Sequence, residues 1–93
     1  MEFKQDQNRI YMENEQGVTI AEVTFPDIKD HVVDINHTFV DESLRGQGIA
    51  GKLMVEAAQK LRKENKKAIP TCPYAVNWFK KNTDYNDVLA EKE

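Results

Sequence analysis

Three of the four glycines of this chain, Gly46, Gly48 and Gly51, lie within six consecutive positions. They stand between an apolar run that ends at Val40 and an amphipathic run that begins at Ile49. This arrangement predicts a glycine-rich turn that leads from a strand into a helix. The backbone N–H groups at the start of a helix have no partner within it and attract anions. The cluster therefore predicts an anion site, and most often such a site binds phosphate.

Length and composition predict one soluble globular domain over residues 1–93. Hydrophobic residues make up 40% of the chain and charged residues 31%, which is typical of such domains. No apolar stretch approaches the roughly 20 residues that span a bilayer, and the N-terminal segment lacks the apolar core of a signal peptide. A single cysteine excludes an internal disulfide. We therefore expect a cytoplasmic protein with no membrane partner. The net charge of −3 argues against nucleic acid as the main partner.

The hydrophobic pattern predicts a β-β-β-α-β-α order. A hairpin over 9–25 turns at Gly17, and a central strand follows over 31–40. The first helix runs from Ile49 to about residue 64, with Asn65 as its C-terminal cap. The fold class is therefore α/β (α+β), with a mixed, mostly antiparallel sheet that contains one parallel pair.

Two details of the strands bear on the anion site. Alternation along the central strand is expected to place Val33, Ile35, His37 and Phe39 on one face. Pro70, in the short strand over 68–72, cannot donate to a ladder, so that strand is predicted to lie at an edge or to peel away from its neighbour. A second helix is expected to begin at Pro73.

Two common phosphate motifs fit the glycine cluster only in part. Gly46-x-Gly48-x-x-Gly51 matches the dinucleotide fingerprint, but the next strand ends in Thr71-Cys72 rather than in the acidic residue that holds a ribose. Gly46-x-x-x-x-Gly51-Lys52 approaches a P-loop, but Leu53 stands where Ser or Thr would hold Mg²⁺. A turn without a ligand is a further alternative, although it would need fewer glycines.

A third pattern, Arg45-x-x-Gly48-x-Ala50, resembles the acyl-CoA signature of the GNAT superfamily of N-acetyltransferases. The resemblance extends over about 32–82, since the motif follows a central strand, opens a long helix and precedes another strand and helix. The segments 36–40 (Asn-His-Thr-Phe-Val) and 71–74 (Thr-Cys-Pro-Tyr) resemble a small GNAT-like subfamily. The resemblance implies a shortened GNAT fold.

The same resemblance implies acetyl-CoA as the acyl donor and an unknown amine or protein as the acceptor. Phe39 and Val40 would contact the pantetheine arm, and Asn77 would touch the cofactor from the second helix. Backbone N–H groups of the turn would bind the CoA pyrophosphate, and Lys52 could add a charge. The turn residues concerned are Arg45, Gly46, Gln47, Gly48, Ile49, Ala50 and Gly51.

The chain departs from the family pattern in its catalytic groups. Phe79 aligns with a tyrosine that protonates the leaving thiolate in many members, and Tyr74 is a candidate substitute. Cys72, before Pro73 at a helix N-terminus, and His37 are candidates for a catalytic pair. Alternatively, Cys72 is a small buried hydrophobic residue and His37 is a hydrogen-bonded histidine of the core. A metal site built on these two residues is not expected. The substrate helices of larger members are also missing. An acyl-CoA-binding or sensing module without transferase activity, or Cys-dependent acyl transfer, is therefore an alternative function.

Overall fold

Seven strands and two α-helices follow one another in a computed structural model that describes residues 2–90. Two 3₁₀ turns, Glu42–Leu44 and Thr83–Val88, follow the last antiparallel strand and the second helix. The regular elements are β1 (Lys4–Asp6), β2 (Arg9–Glu13), β3 (Thr19–Thr24), β4 (Asp27–Lys29), β5 (Val32–Ile35), β6 (His37–Val40), α1 (Ile49–Lys63), β7 (Lys67–Pro70) and α2 (Pro73–Lys81). The predicted order is confirmed, with two short strands added and the central strand divided into β5 and β6.

The strands form two small sheets. One sheet is antiparallel and has the order β1-β2-β3-β6, while the other has the order β4-β5-β7. Among the named strands of residues 2–90, only β5 and β7 run parallel, and α1 connects the two sheets. The predicted mixed, mostly antiparallel α+β fold is therefore confirmed.

Helix α1 supplies much of the core. Its buried residues recur at helical spacing, as the sequence predicts, because one stripe of the helix packs against β2, β3 and β6. The helix ends where Asn65 adopts a φ of 59°. Lys66 N–H then donates to the Leu61 carbonyl at 2.8 Å, and Asn65 N–H donates to the Arg62 carbonyl at 3.2 Å. These two bonds form a Schellman motif in which Glu64 is the C-cap and Asn65, the predicted cap residue, takes the left-handed position after it.

The central strand changes sheets at Asn36. The Asn36 N–H donates to the Thr24 carbonyl at 3.3 Å, and the Thr24 hydroxyl donates to Asn36 Oδ1 at 2.7 Å. The alternation of faces shifts there by one residue, as in a β-bulge. Val33 and Ile35 are buried, but Thr38 and Val40 face the core thereafter, opposite Val23 and Ala21 on β3.

The prediction that His37 and Phe39 share a face with Ile35 is therefore wrong. Both side chains lie on the exposed face of β6. The physical reason is the extra residue at the bulge, since a slip of one position moves every later side chain to the opposite face.

Strand β7 leaves the central strand after Ile35. The N–H groups of Thr71 and Cys72 both donate to the Ile35 carbonyl, at 3.0 and 3.1 Å, and the chain then turns into α2. β7 ends its sheet, as the presence of Pro70 predicts. Because β7 pairs with β5 and not with β6, the edge of β6 that faces away from β3 is open among residues 2–90.

Candidate functional site

The glycine turn leads from β6 into α1 with its backbone in left-handed conformations. Gly46 has a φ of 84° and Gly48 a φ of 70°, and Gly48 is the N-cap of α1. Lys52 N–H makes the first bond of the helix, to the Gly48 carbonyl at 3.1 Å. No side chain caps α1, so the N–H groups of its first turn are available to an external anion.

A hydrogen-bonded acidic residue opens this turn. Asp41 Oδ2 accepts from Ser43 N–H at 3.0 Å and from the Ser43 hydroxyl at 2.6 Å. These bonds lower the pKa of the Asp41 carboxyl, so it is ionised at neutral pH. Leu44, which is buried, anchors the same segment to the core. The segment that leads into the glycine turn is therefore held at two points.

A cavity of about 240 Å³ lies over the turn. It joins the end of β6, the first turn of α1 and the first turn of α2. Its lining residues are Val40, Leu44, Arg45, Gly46, Gly48, Ile49, Ala50, Gly51 and Tyr74. The structure thus brings together most of the predicted cofactor residues, with Tyr74 among them.

A second cavity of about 470 Å³ shares Gly48 and Gly51 with the first. Lys52 lies on this cavity rather than on the first one. Its remaining lining residues come from α1, from α2 and its C-cap, and from the N-terminal segment: Phe3, Val55, Glu56, Trp78 and Asn82. Gln47 and Asn77 are exposed and line neither cavity.

The backbone of β6 presents hydrogen-bonding groups beside the first cavity. Asp41 N–H donates to the Ile20 carbonyl at 2.8 Å, and Phe39 lies opposite Glu22. Because hydrogen-bonded pairs alternate along an antiparallel ladder, the backbone groups of Thr38 and Val40 point away from β3. Val40 therefore lines the cavity and has an N–H that does not bond to β3, while the backbone groups of Phe39 pair with β3.

Cys72 is the N-cap of α2 and is half-buried. Its Sγ lies 3.5 Å from Oγ1 of Thr38, across the gap between β6 and β7. Burial acts to raise the pKa of the thiol, but hydrogen bonds from the Ala75 and Tyr74 N–H groups and from Thr38 lower it below its ordinary value overall. Sequence reasoning did not assign a role to Thr38, because a threonine in a strand carries no distinguishing signal.

His37 lies on the opposite face of β6 from Thr38. Its imidazole is 54% exposed, and its Nε2 lies 3.6 Å from Oε1 of Glu22. Glu22 is also bound by Arg9, whose Nε lies 2.7 Å from Oε2. The structure therefore pairs His37 with Glu22 and Cys72 with Thr38, and the expected Cys72–His37 pair is not formed. The one-residue shift at Asn36 explains this outcome.

The two aromatic residues considered for proton transfer have different environments. Phe79 is buried, and its ring packs edge-on against Trp78 with centroids 5.0 Å apart. Tyr74 is 41% exposed, and partial burial raises the pKa of its phenol, so the hydroxyl keeps its proton at neutral pH. Of the two residues, only Tyr74 lines the first cavity, and only its hydroxyl has a proton to donate.

Another cavity, apolar and of about 350 Å³, lies between β7, α2 and the last 3₁₀ turn. It contains none of the predicted site residues. Within residues 2–90, no three His, Cys, Asp or Glu side chains are grouped to hold a metal ion. No helix in that part of the chain is long and apolar enough to cross a bilayer.

The two helix-start glycines predict opposite stability effects. Gly48→Ala places a side chain at a φ of 70°, which we expect to lower the free energy of unfolding by about 1–2 kcal/mol. At Gly51 an added Cβ meets Tyr74 Oη at 3.7 Å and Trp78 Nε1 at 3.9 Å, ordinary contact distances. Gly51→Ala should therefore raise the free energy of unfolding by about 0.5–1 kcal/mol. Urea denaturation of both variants measures the two free energies of unfolding. Changes of the same sign in both variants would contradict the described conformation of the turn.

Comparisons with known proteins agree with this geometry. A sequence model of the family described as GCN5-related N-acetyl-transferase matches residues 9–88. A GCN5-like protein from Staphylococcus aureus, solved in solution by NMR, is 32% identical with a TM-score of 0.80. The alignment covers 99% of this chain and 90% of that one.

Larger proteins match over part of their length. A GNAT family N-acetyltransferase from Escherichia coli, in complex with CoA, is 25% identical over 67% of this chain and 38% of its own, with a TM-score of 0.58. Tetrahymena GCN5 is 17% identical over 82% of this chain and 50% of its own, with a TM-score of 0.62, and this likeness shows the fold alone. The chain thus spans half or less of these two proteins. No curated protein gives a significant match.

Proposed function

Because a family model matches residues 9–88, the chain belongs to the GCN5-related N-acetyl-transferase family, and we propose that it transfers an acetyl group from acetyl-CoA to an amine. The observation that carries this proposal is the meeting of two features in one cavity. The uncapped first turn of α1 and the open edge of β6 both border the 240 Å³ space. The first turn of α1 can bind a diphosphate, and the open edge of β6 can pair with an extended chain of amide groups.

The diphosphate of acetyl-CoA binds at the start of α1. The N–H groups of Ile49, Ala50 and Gly51 supply donors, and the helix dipole adds a favourable field. Arg45 lines the cavity and provides a charged side chain at its rim. The CoA complex of the Escherichia coli relative supports acyl-CoA as the ligand class.

The pantetheine arm extends along the open edge of β6. Its amide N–H groups donate to the backbone carbonyls of Thr38 and Val40, which point away from β3, as a strand pairs with a sheet edge. The Val40 N–H is then available to polarise the thioester carbonyl as the amine attacks. The neutral amine forms the new C–N bond, its nitrogen gives up a proton to solvent, the C–S bond breaks, and CoA leaves as a thiolate.

Tyr74 is the proposed proton donor to that thiolate. Its hydroxyl is protonated at neutral pH and lines the same cavity as Val40. Cys72 and His37 remain predictions from the sequence, as does Asn77 as a cofactor contact. Of these three, only Cys72 lies at the gap between β6 and β7, so acyl transfer through its thiol is the proposed alternative chemistry. The Cys-Pro-Tyr subfamily and a cytoplasmic location are likewise proposals from the sequence.

A module that binds acyl-CoA without transferring the acyl group is the competing function. The phenylalanine at position 79 favours it, since the residue that aligns with the family tyrosine has no proton to give. Both functions predict that acetyl-CoA stabilises the protein. Ligand at about 100 times Kd adds about 2.7 kcal/mol, which corresponds to a rise in Tm of roughly 10–20 °C for a domain of this size.

Release of free thiol from acetyl-CoA separates the two functions. We expect thiol release to accelerate when small amines, or peptides with a free N-terminal amine, are added. The control is the same set of amines and peptides with acetyl-CoA and without the protein. A rise in Tm without accelerated thiol release would refute acetyl transfer and support the module that only binds acyl-CoA. No rise in Tm with any acyl-CoA would refute both functions.

A further inference from the structure

The indole N–H of Trp78 has no hydrogen-bond partner within residues 2–90. Trp78 is 8% exposed, and its ring packs against Phe79 and Tyr85 with centroids 5.0 and 5.3 Å away. Every fully buried side-chain nitrogen or oxygen in this part of the chain has a partner. The unpaired Nε1 must therefore reach the cavity that Trp78 lines, since it is not among the fully enclosed atoms.

The indole nitrogen is directed at the start of α1. Nε1 lies 3.9 Å from the position that a Cβ on Gly51 would occupy, and the Tyr74 hydroxyl lies 3.7 Å from the same point. Gly51 is the third residue of α1, so its own N–H is one of the unpaired groups of the first turn. Two side-chain donors from α2 and the backbone donors of α1 thus converge on one place.

The charges around this place favour an anion at its N-terminal end. Lys52 lines the same cavity one residue after Gly51. Glu56, the acidic residue on the lining, lies one helical turn further from the N-terminus. A negatively charged group beside Gly51 therefore lies closer to the N–H donors and to Lys52 than to the Glu56 carboxylate.

We propose that Trp78 donates its indole N–H to a phosphate oxygen of the diphosphate in acyl-CoA, at the place where the 240 and 470 Å³ cavities meet beside Gly48 and Gly51. This inference rests on the proposed function and adds a side-chain donor from the core to a site whose other donors are the backbone N–H groups of α1 and the charged groups of Arg45 and Lys52. The packed ring is already held in place, so binding costs little side-chain entropy. It also gives Gly51 a role, because a methyl group there would stand between the indole and the ligand.

The single tryptophan of the chain makes the test direct. In ¹H–¹⁵N NMR spectra the protein shows one indole resonance, which we expect to move downfield as CoA is titrated, together with the backbone resonances of Gly48–Gly51. Backbone shifts without an indole shift would overturn the role of Trp78 and leave acyl-CoA binding intact. The absence of both shifts would overturn the proposed function and this inference with it.

Affinity measurements on variants provide a second test. Trp78→Phe removes the donor and should weaken CoA binding by roughly 10- to 100-fold, the usual loss for a hydrogen bond to a charged group. Phe79→Leu is the matched control, since it loosens the same core without removing a donor. Gly51→Ala, which should be the more stable protein, is also expected to bind CoA more weakly. Equal affinities for wild type, Trp78→Phe and Gly51→Ala would refute the contact.

Discussion

An Ala50→Glu variant is expected to lose roughly 10- to 1,000-fold in acyl-CoA affinity, because a carboxylate a few ångströms from a diphosphate costs about 1–4 kcal/mol at intermediate dielectric. Ala50 is the second residue of α1 and lines the 240 Å³ cavity. The same carboxylate should leave the free protein unharmed. An acidic residue in the first turn of a helix usually stabilises it by about 0.3–1 kcal/mol.

The control for this variant is Ala50→Gln, which has the same size and no charge. Calorimetric titration with CoA measures the affinity, and urea denaturation measures the stability of each free protein. We expect Ala50→Gln to bind CoA much more tightly than Ala50→Glu. Equal losses in the two variants would mean that bulk, rather than charge, blocks the site. Unchanged affinity in Ala50→Glu would place the diphosphate elsewhere.

The glycine turn and helix α1 could be predicted because their causes are local. Glycines that adopt positive φ, a periodic apolar stripe and an Asn cap act over a few neighbouring residues, and each is visible in the sequence. The edge position of β7 was equally local, since Pro70 cannot donate to a ladder whatever its neighbours are.

The break in the central strand could not be predicted from alternation. Its apolar and β-branched residues continue across Asn36 on both faces, so either register satisfies the pattern. The choice is made by distant partners, since Thr24 on β3 and the segment after β7 pair with the two sides of the break. The bulge turns Thr38 toward Cys72 and His37 toward Glu22, so the expected pair of His37 and Cys72 is not formed.

Trp78 shows a different limit of sequence reasoning. Its spacing with Ala75 and Phe79 is that of one helix face, and all three residues are buried in α2. Periodicity indicates which face of the helix a side chain lies on. It does not indicate whether the indole N–H has a hydrogen-bond acceptor. That information appears only when α1 and α2 are packed together and Gly51 lies opposite the indole.

Proline substitutions along β6 test which backbone groups acyl-CoA uses. The Val40 N–H points away from β3, so Val40→Pro removes no ladder bond, and we expect the variant to unfold cooperatively like the wild type. It should nevertheless lose roughly 10²- to 10³-fold in thiol release with an active amine, the usual effect of removing one donor to a reacting carbonyl.

Phe39→Pro is the matched control on the neighbouring residue. Its N–H faces β3, where Phe39 lies opposite Glu22, so the substitution leaves a strand carbonyl without its donor and should destabilise the fold by about 1–3 kcal/mol. Urea denaturation and the thiol-release assay are therefore read together. Equal destabilisation of the two variants would refute the assigned direction of the Val40 N–H. A folded Val40→Pro protein with full activity would refute its role at the thioester, because the open edge of β6 would then hold no group that the reaction needs at that position.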